Sequence, residues 1–223
     1  MNMHTSSCAR SSGMASLVTT VLLLCMSAKP VLATDLFSAS DLRHWEVFTS
    51  PAVAIGDVAQ INAEGVITIA GQPSGYISTR DSYQNFRLHA EWRWPLKPGN
   101  SGVLIYIASG PKDRVWPLSL QIQTKYKFSG DLLPMAGATF AEDLSSPPGS
   151  ATPVKAKMQD DSEKPAGEWN SCDIVSMNGA VEVSINGVVQ NRISKSVPYS
   201  GRVGFQLEGT VFELRNVQID RLD

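Results

Sequence analysis

The chain has 223 residues, 43% of them apolar and 18% charged, with 19 lysines and arginines against 21 aspartates and glutamates. That apolar content can bury a core, so the composition excludes an intrinsically disordered chain. The near balance of charge supplies no global basic field, which argues against nucleic acid or an anionic membrane as the principal partner. The first predicted element is a leader: Leu17 to Met26 form a short apolar run, preceded by Arg10 and followed by Val31-Leu32-Ala33. A run of this length cannot span a bilayer, and its flanks read as a secretory signal peptide cleaved after Ala33. Export to the periplasm or the medium is the expectation, with no transmembrane segment in residues 34–223. Cys8 and Cys25 leave with the leader, and the bulky Leu22-Leu23-Leu24 before Cys25 disfavours a lipid anchor there. Cys172 alone remains, so no intramolecular disulfide forms, and residues 34–223 are long enough to bury a core without one.

Beyond the leader no stretch reads as a long amphipathic helix. Short runs rich in β-branched and aromatic residues recur between Gly, Pro, Asn and Asp, and they predict strands. In chain order these are Val58–Asn62, Val66–Ala70, Tyr76–Thr79, Phe86–Trp94, Gly102–Ala108, Leu118–Thr124, Ser171–Met177, Val181–Ile185, Val188–Ile193, Arg202–Glu208 and Val211–Ile219. Asn178-Gly179 and Asn186-Gly187 separate three of them and fit type I′ turns, so they predict two successive hairpins. Helical crossovers for a parallel sheet are missing, which leaves an antiparallel all-β sandwich of residues 34–223 as one domain. Residues 141–167, rich in Pro, Ser, Lys, Asp and Glu, read as a long mobile rim loop rather than a linker.

Polar side chains alternate with apolar ones along several of these strands. Arg87, His89, Glu91 and Arg93 oppose Phe86, Leu88, Ala90, Trp92 and Trp94, because strand side chains alternate between faces. Ser119, Gln121 and Gln123 oppose Leu118, Leu120 and Ile122 in the same way, and Gln206 and Glu208 oppose Val203, Phe205 and Leu207. In the last strand Glu213 and Arg215 oppose Phe212 and Leu214, and the apolar parity then shifts to Val217 and Ile219, which predicts a bulge near Asn216. Solvated outer faces are what such alternation usually means. These positions, however, hold planar amides, carboxylates and guanidinium groups, with Trp92, Trp94, Trp116 and Trp169 near them in sequence. A concave sheet so lined fits a sugar, whose hydroxyls need convergent donors and acceptors and whose C–H faces stack on rings.

Other chemistry has little support. His44 and His89 have no clustered Cys or His beside them, so no cofactor is evident, and a divalent cation held by carboxylates and carbonyls is left open. There is no phosphate-binding glycine loop and no nucleophile elbow. Two acids closely spaced on one strand, as a double-displacement glycosidase on a sandwich requires, are also missing.

Several segments together resemble the family of secreted bacterial 3-keto-disaccharide hydrolases. They are Leu36-Phe37, Asp41-Leu42 and Trp45; Gly75-Tyr76-Ile77-Ser78-Thr79; Tyr83, Asn85-Phe86 and Glu91-Trp92-Arg93; Asn100-Ser101-Gly102 and Val115-Trp116-Pro117; Gly130-Asp131 and Gly167-Glu168-Trp169-Asn170; and Asn186-Gly187, Leu207-Glu208-Gly209, Phe212 and Leu214-Arg215-Asn216. The resemblance implies a concanavalin-A-like jelly roll of the lectin/glucanase type and a small carbohydrate substrate. The implied activity is cleavage of glycosides already oxidised at carbon 3, where the ketone acidifies the carbon 2 proton and a base expels the glycosidic group. On that basis Glu91 and Glu208 are the candidates for acid/base work and Arg93 for holding the enolate. Asn100, Ser101, Trp116, Gln121, Gln123, Asp131, Trp169, Gln206 and Arg215 are the candidates for binding substrate. In the family the strand after Trp116 commonly carries a glutamate where this chain has Gln121, so a non-catalytic carbohydrate-binding module using the same groove is the competing reading.

Overall fold

The computed structural model describes Met1 and residues 33–37 and 42–223; the predicted leader falls almost wholly on residues 2–32, outside them. Two antiparallel sheets face each other across one apolar core, and among the described residues almost no helix is present. The eight-stranded sheet orders Val188–Ile193 (β14), Ala180–Ile185 (β13), Asn170–Met177 (β12), Phe86–Arg93 (β6), Phe212–Arg221 (β16), Ile67–Ile69 (β4) and Ala59–Ile61 (β3), with Thr34–Asp35 (β1) also paired to β16. The six-stranded sheet orders Leu132–Met135 (β11), Ser119–Gln123 (β10), Gly102–Ile107 (β7), Gly201–Leu207 (β15), Gly75–Tyr83 (β5) and Trp45–Thr49 (β2). Pro111–Asp113 (β8) and Trp116–Pro117 (β9) form a separate hairpin, and Ile55–Val58 makes a single helical turn ahead of β3. This is an antiparallel jelly-roll sandwich, as the strand pattern predicts.

The core is built from the apolar parity of each strand. Phe86, Leu88, Ala90 and Trp92 of β6 meet Val103 and Ile105 of β7, Leu120 and Ile122 of β10, and Val203, Phe205 and Leu207 of β15. Trp45, 2% exposed, stacks on Phe37 at 4.3 Å between ring centroids and leans on Phe205 at 5.9 Å. Its indole nitrogen donates to the Leu36 carbonyl at 2.8 Å, so the ring is buried with its one polar atom satisfied. The two Asn-Gly turns are as expected: Asn178, Gly179, Asn186 and Gly187 all take positive φ, and each closes a two-residue hairpin among β12, β13 and β14. Asn216 also has positive φ where the β16–β6 register shifts, which is the predicted bulge.

Five elements escape the strand pattern, the two-residue β1 among them. β2 and β11 are short and β8 and β9 shorter, and Pro111, Pro117 and Pro134 within them remove backbone donors and depress strand propensity.

Among the described residues no helix is long and apolar enough to cross a membrane.

Candidate functional site

The polar faces of the four strands singled out above do not line one surface. β6 and β16 belong to the eight-stranded sheet, β10 and β15 to the six-stranded one, and each presents its polar side chains away from the shared core. The candidate residues therefore divide into two groups on outer faces of different sheets.

On the eight-stranded sheet, Glu91, Arg93, Arg215 and Trp169 come together. Register puts Glu91 directly opposite Arg215, Arg93 opposite Glu213, and His89 opposite Asp173. Each opposition is an ion pair or hydrogen bond: Arg215 Nε donates to Glu91 at 2.6 Å, Asn216 Nδ2 donates to the other Glu91 oxygen at 2.8 Å, and Arg93 pairs with Glu213. Trp169 lies against both guanidinium groups, at 4.6 Å from Arg93 and 4.2 Å from Arg215. Burial alone would raise the Glu91 pKa, but the hydrogen bonds from Asn216 and Arg215 and the Arg215 charge outweigh it and hold the carboxyl low. At His89, the hydrogen bond to Asp173 at 2.7 Å raises the ring pKa against the opposing effect of burial, and the Asp173 and Glu91 charges add to the rise. Cross-strand pairs of this kind contribute about 0.2–1 kcal/mol each to a sheet. A glutamate whose oxygens are both occupied and whose pKa is low is a poor proton acceptor.

On the six-stranded sheet, Asn100, Trp116, Gln121, Gln123, Gln206 and Glu208 line one cavity of about 460 Å³. Gln121 and Gln123 project from β10, Gln206 from β15, and Glu208 follows directly on β15, all opposite in parity to the core residues Leu120, Ile122, Phe205 and Leu207. The hairpin of β8 and β9 overhangs the cavity with Asp113, Arg114 and Trp116, while residues 150–153 close the far rim. Gln121 Nε2 donates to Gln123 Oε1 at 2.8 Å, which leaves the Gln121 carbonyl oxygen free of any partner in the protein. Asn100 Oδ1 and Gln206 Oε1 are likewise buried without a partner, and so are Tyr76 Oη and Ser78 Oγ further along the same face. Thus five of the nine buried side-chain polar atoms without a protein partner among the described residues lie on this one outer face. Leaving a buried acceptor unsatisfied costs about 1–3 kcal/mol, a cost that bound hydroxyl groups relieve.

Of the two acids of this cavity, Asp113 lies 3.6 Å from Arg114 and Glu208 stands apart. It makes no hydrogen bond or ion pair with any described residue, in contrast to Glu91. Burial raises its pKa, and the charges of Lys125 and Arg114 oppose that rise without cancelling it. Arg114, at the hairpin tip with positive φ, and Lys125, just past β10, are the cavity's cations. Neither stood out in the sequence, since each is a single basic residue in a turn with no periodic pattern to flag it.

Two candidates act on the scaffold in this structure. Ser101 Oγ is buried and donates to the Gln206 backbone carbonyl at 2.7 Å, fixing β15 beside the turn that carries Asn100. Asp131 is buried, its pKa raised by that burial, and it accepts from the Lys157 backbone N–H at 2.8 Å. It thereby ties down the segment 141–167 expected to form a mobile rim. Asn191 Nδ2 adds contacts to the carbonyls of Gly130, Lys155 and Ala156, so the rim is fastened from below. Among the described residues no group of three or more His, Cys, Asp or Glu is placed to hold a metal ion.

Gly102 has a role visible only in three dimensions. A Cβ at this position would meet Gln121 Cγ at 2.7 Å and Nε2 at 2.8 Å, so the missing side chain is the space in which Gln121 lies. Gly102→Ala should displace that flexible side chain and leave the backbone in place. We expect a folded protein with a lowered urea midpoint, since Gln121 is buried, and a roughly 2- to 10-fold weaker sugar affinity, the loss of about one hydrogen bond, measured by titration calorimetry.

Comparison with known proteins identifies the family and finds the same sandwich fold elsewhere. The model of the 3-keto-alpha-glucoside-1,2-lyase-like domain matches residues 32–220. The chain belongs to that family. A candidate glycosyl hydrolase from Parabacteroides distasonis has a similar structure, with 25% identity over 86% of this chain and 94% of that one and a TM-score of 0.62. A carbohydrate-binding module from Bacillus subtilis is similar in fold at 12% identity and a TM-score of 0.52, covering 79% of this chain and 95% of its own. LamAcat from Zobellia galactanivorans is similar in fold at 11% identity and a TM-score of 0.53, covering 81% and 92%. No curated protein matches the sequence.

Proposed function

We propose that this protein cleaves 3-keto-glycosides by elimination in the cavity on the outer face of the six-stranded sheet, with Glu208 as the base. The observation that carries this reading is a half-buried glutamate without a hydrogen-bond partner among the described residues, flanked by Lys125 and Arg114 above a floor of unpaired amide oxygens. The carbon 3 ketone acidifies the proton on carbon 2. Glu208 removes that proton, the electron pair forms the double bond between carbons 1 and 2, and the bond from carbon 1 to the glycosidic oxygen breaks. The departing oxygen takes up a proton, and later addition of water to the unsaturated sugar completes a net hydrolysis. Lys125 and Arg114 are the groups nearest to offset charge on the developing enolate, a role in which preorganised cations are effective. Asn100, Gln121, Gln123 and Gln206 hold the sugar hydroxyls, and Trp116 offers a ring face to its C–H surface. Glu91 and Arg93, closed into cross-strand pairs on the other sheet, take no part in this scheme. The leader expected over residues 1–33 would deliver the enzyme outside the cytoplasm.

The test is release of aglycone from a small 3-keto-glucoside and none from the parent glucoside. A second reading, a carbohydrate-binding module without turnover, is favoured by Gln121 standing where the family commonly has a carboxylate. Saturable binding with no product would select it.

A further inference from the structure

The polar face of the six-stranded sheet continues past the Glu208 cavity. Phe48 on β2 lies directly opposite Tyr76 on β5, and Tyr76 lies directly opposite Gln206 on β15. Neighbouring strands are about 4.8 Å apart, so Phe48 stands roughly 10 Å across the sheet from Gln206. Here a second cavity of about 530 Å³ opens, lined by Glu46, Phe48, Tyr76, Ser82, Ser109 and Arg202 among others. A third space of about 670 Å³, lined by Thr49, Pro111, Arg114, Trp116 and Glu208, shares Arg114, Trp116 and Glu208 with the first cavity. Its Thr49 and Pro111 are the chain neighbours of Phe48 and Gly110 in the second.

The second cavity has its own chemistry. The Tyr76 side chain is fully buried, its ring stacked on Phe48 at 4.9 Å with 17° between planes. Its hydroxyl has no partner, and burial pushes its pKa up to about 12, with Arg202 opposing and Glu46 adding, so the hydroxyl sits beside that charge pair. Glu46 is itself neutralised by Arg80, at 2.6 Å, and by Arg202. The wall is thus aromatic and hydroxyl-bearing, with Glu46 held between Arg80 and Arg202, whereas the Glu208 cavity sets Arg114 and Lys125 against Asp113 and Glu208. Ring faces beside hydroxyl and ion-paired groups suit a neutral polyhydroxylated group, which stacks its C–H surface and shares hydrogen bonds.

We infer that this second cavity binds a further neutral sugar unit of the same substrate, so that the substrate class is an oxidised oligosaccharide longer than a disaccharide. The inference rests on the carbohydrate reading of this sheet face and extends it by naming substrate length and the residues that sense it.

Binding of unoxidised sugars tests this without any turnover. Affinities of a panel of α- and β-linked gluco-oligosaccharides, one to four units long, are measured by calorimetry on the full protein and on Tyr76→Phe and Phe48→Leu. The expected result is affinity that rises with length for at least one linkage, by roughly tenfold from the disaccharide to the longest ligand. Tyr76→Phe should lose roughly 2- to 10-fold on the long ligand alone, as expected for one hydrogen bond. Affinity independent of length in every linkage, or a length gain kept in full by both variants, overturns the inference. Turnover of 3-keto-glucosides with length-independent binding removes only this inference, and length-dependent binding without turnover removes only the lyase reading.

Discussion

Replacing Glu208 by Gln is expected to lower kcat/KM on a 3-keto-glucoside by about 100- to 10,000-fold, the usual contribution of a positioned general base. The amide is nearly isosteric and Glu208 makes no hydrogen bond with any described residue, so the urea midpoint should stay where it is. Glu91→Gln reverses the pattern. It strips charge from the pairs with Arg215 and Asn216 on the other sheet, so it costs a fraction of a kcal/mol to about 1 kcal/mol in stability and leaves kcat/KM within a few-fold. The pH profile gives the same distinction. Glu208 must be ionised to accept a proton, and burial raises its pKa, so activity falls on the acid side at a pH above the ordinary carboxylate range. Glu91, whose pKa is held low, would put that fall below the ordinary range. An acid limb above it identifies the buried glutamate.

Glu163→Ala should give the largest loss of stability among single polar substitutions. One Glu163 oxygen accepts from the indole N–H of Trp94 at 3.0 Å, and the other from the Lys127 backbone N–H at 2.9 Å and Ser129 Oγ at 3.0 Å. Trp94 and Ser129 are both fully buried, so water cannot replace the acceptor without opening the structure. The two buried donors, Trp94 and Ser129, cost about 1–3 kcal/mol each when orphaned, so the unfolding free energy should fall by roughly 2–6 kcal/mol. Glu163→Gln, which keeps one carbonyl acceptor, should cost less. Urea unfolding checks this, with the transition moving to lower denaturant at unchanged slope. A shift no larger than that of an exposed glutamate substitution would remove the clasp from the account.

The fold was largely legible because alternation, Asn-Gly turns and the lack of helical crossovers each depend on local sequence. The bulge at Asn216 could be read from a single parity shift. The proline-bearing strands β8, β9 and β11 could not, because they are held by long-range pairing and by the hairpin's position rather than by their own propensity. The site was legible in composition and not in place. Alternation along a strand shows which side chains share a face, but nothing in it shows which of two sheets owns the strand. Glu91 on β6 and Glu208 after β15 therefore look alike in sequence, and only strand order and register separate a ladder of ion pairs from an unpaired acid in a cavity. The role of Gly102 is hidden for a related reason, since the Gln121 side chain that fills its place comes from the neighbouring strand.

The measurement that tests the central claim most directly is aglycone release from a small 3-keto-glucoside and from its unoxidised parent, at equal concentration, by the purified protein. The account predicts rapid release from the ketone and none from the parent, because only the ketone makes the carbon 2 proton removable by a carboxylate. Equal cleavage of both, or cleavage of the parent alone, would contradict it.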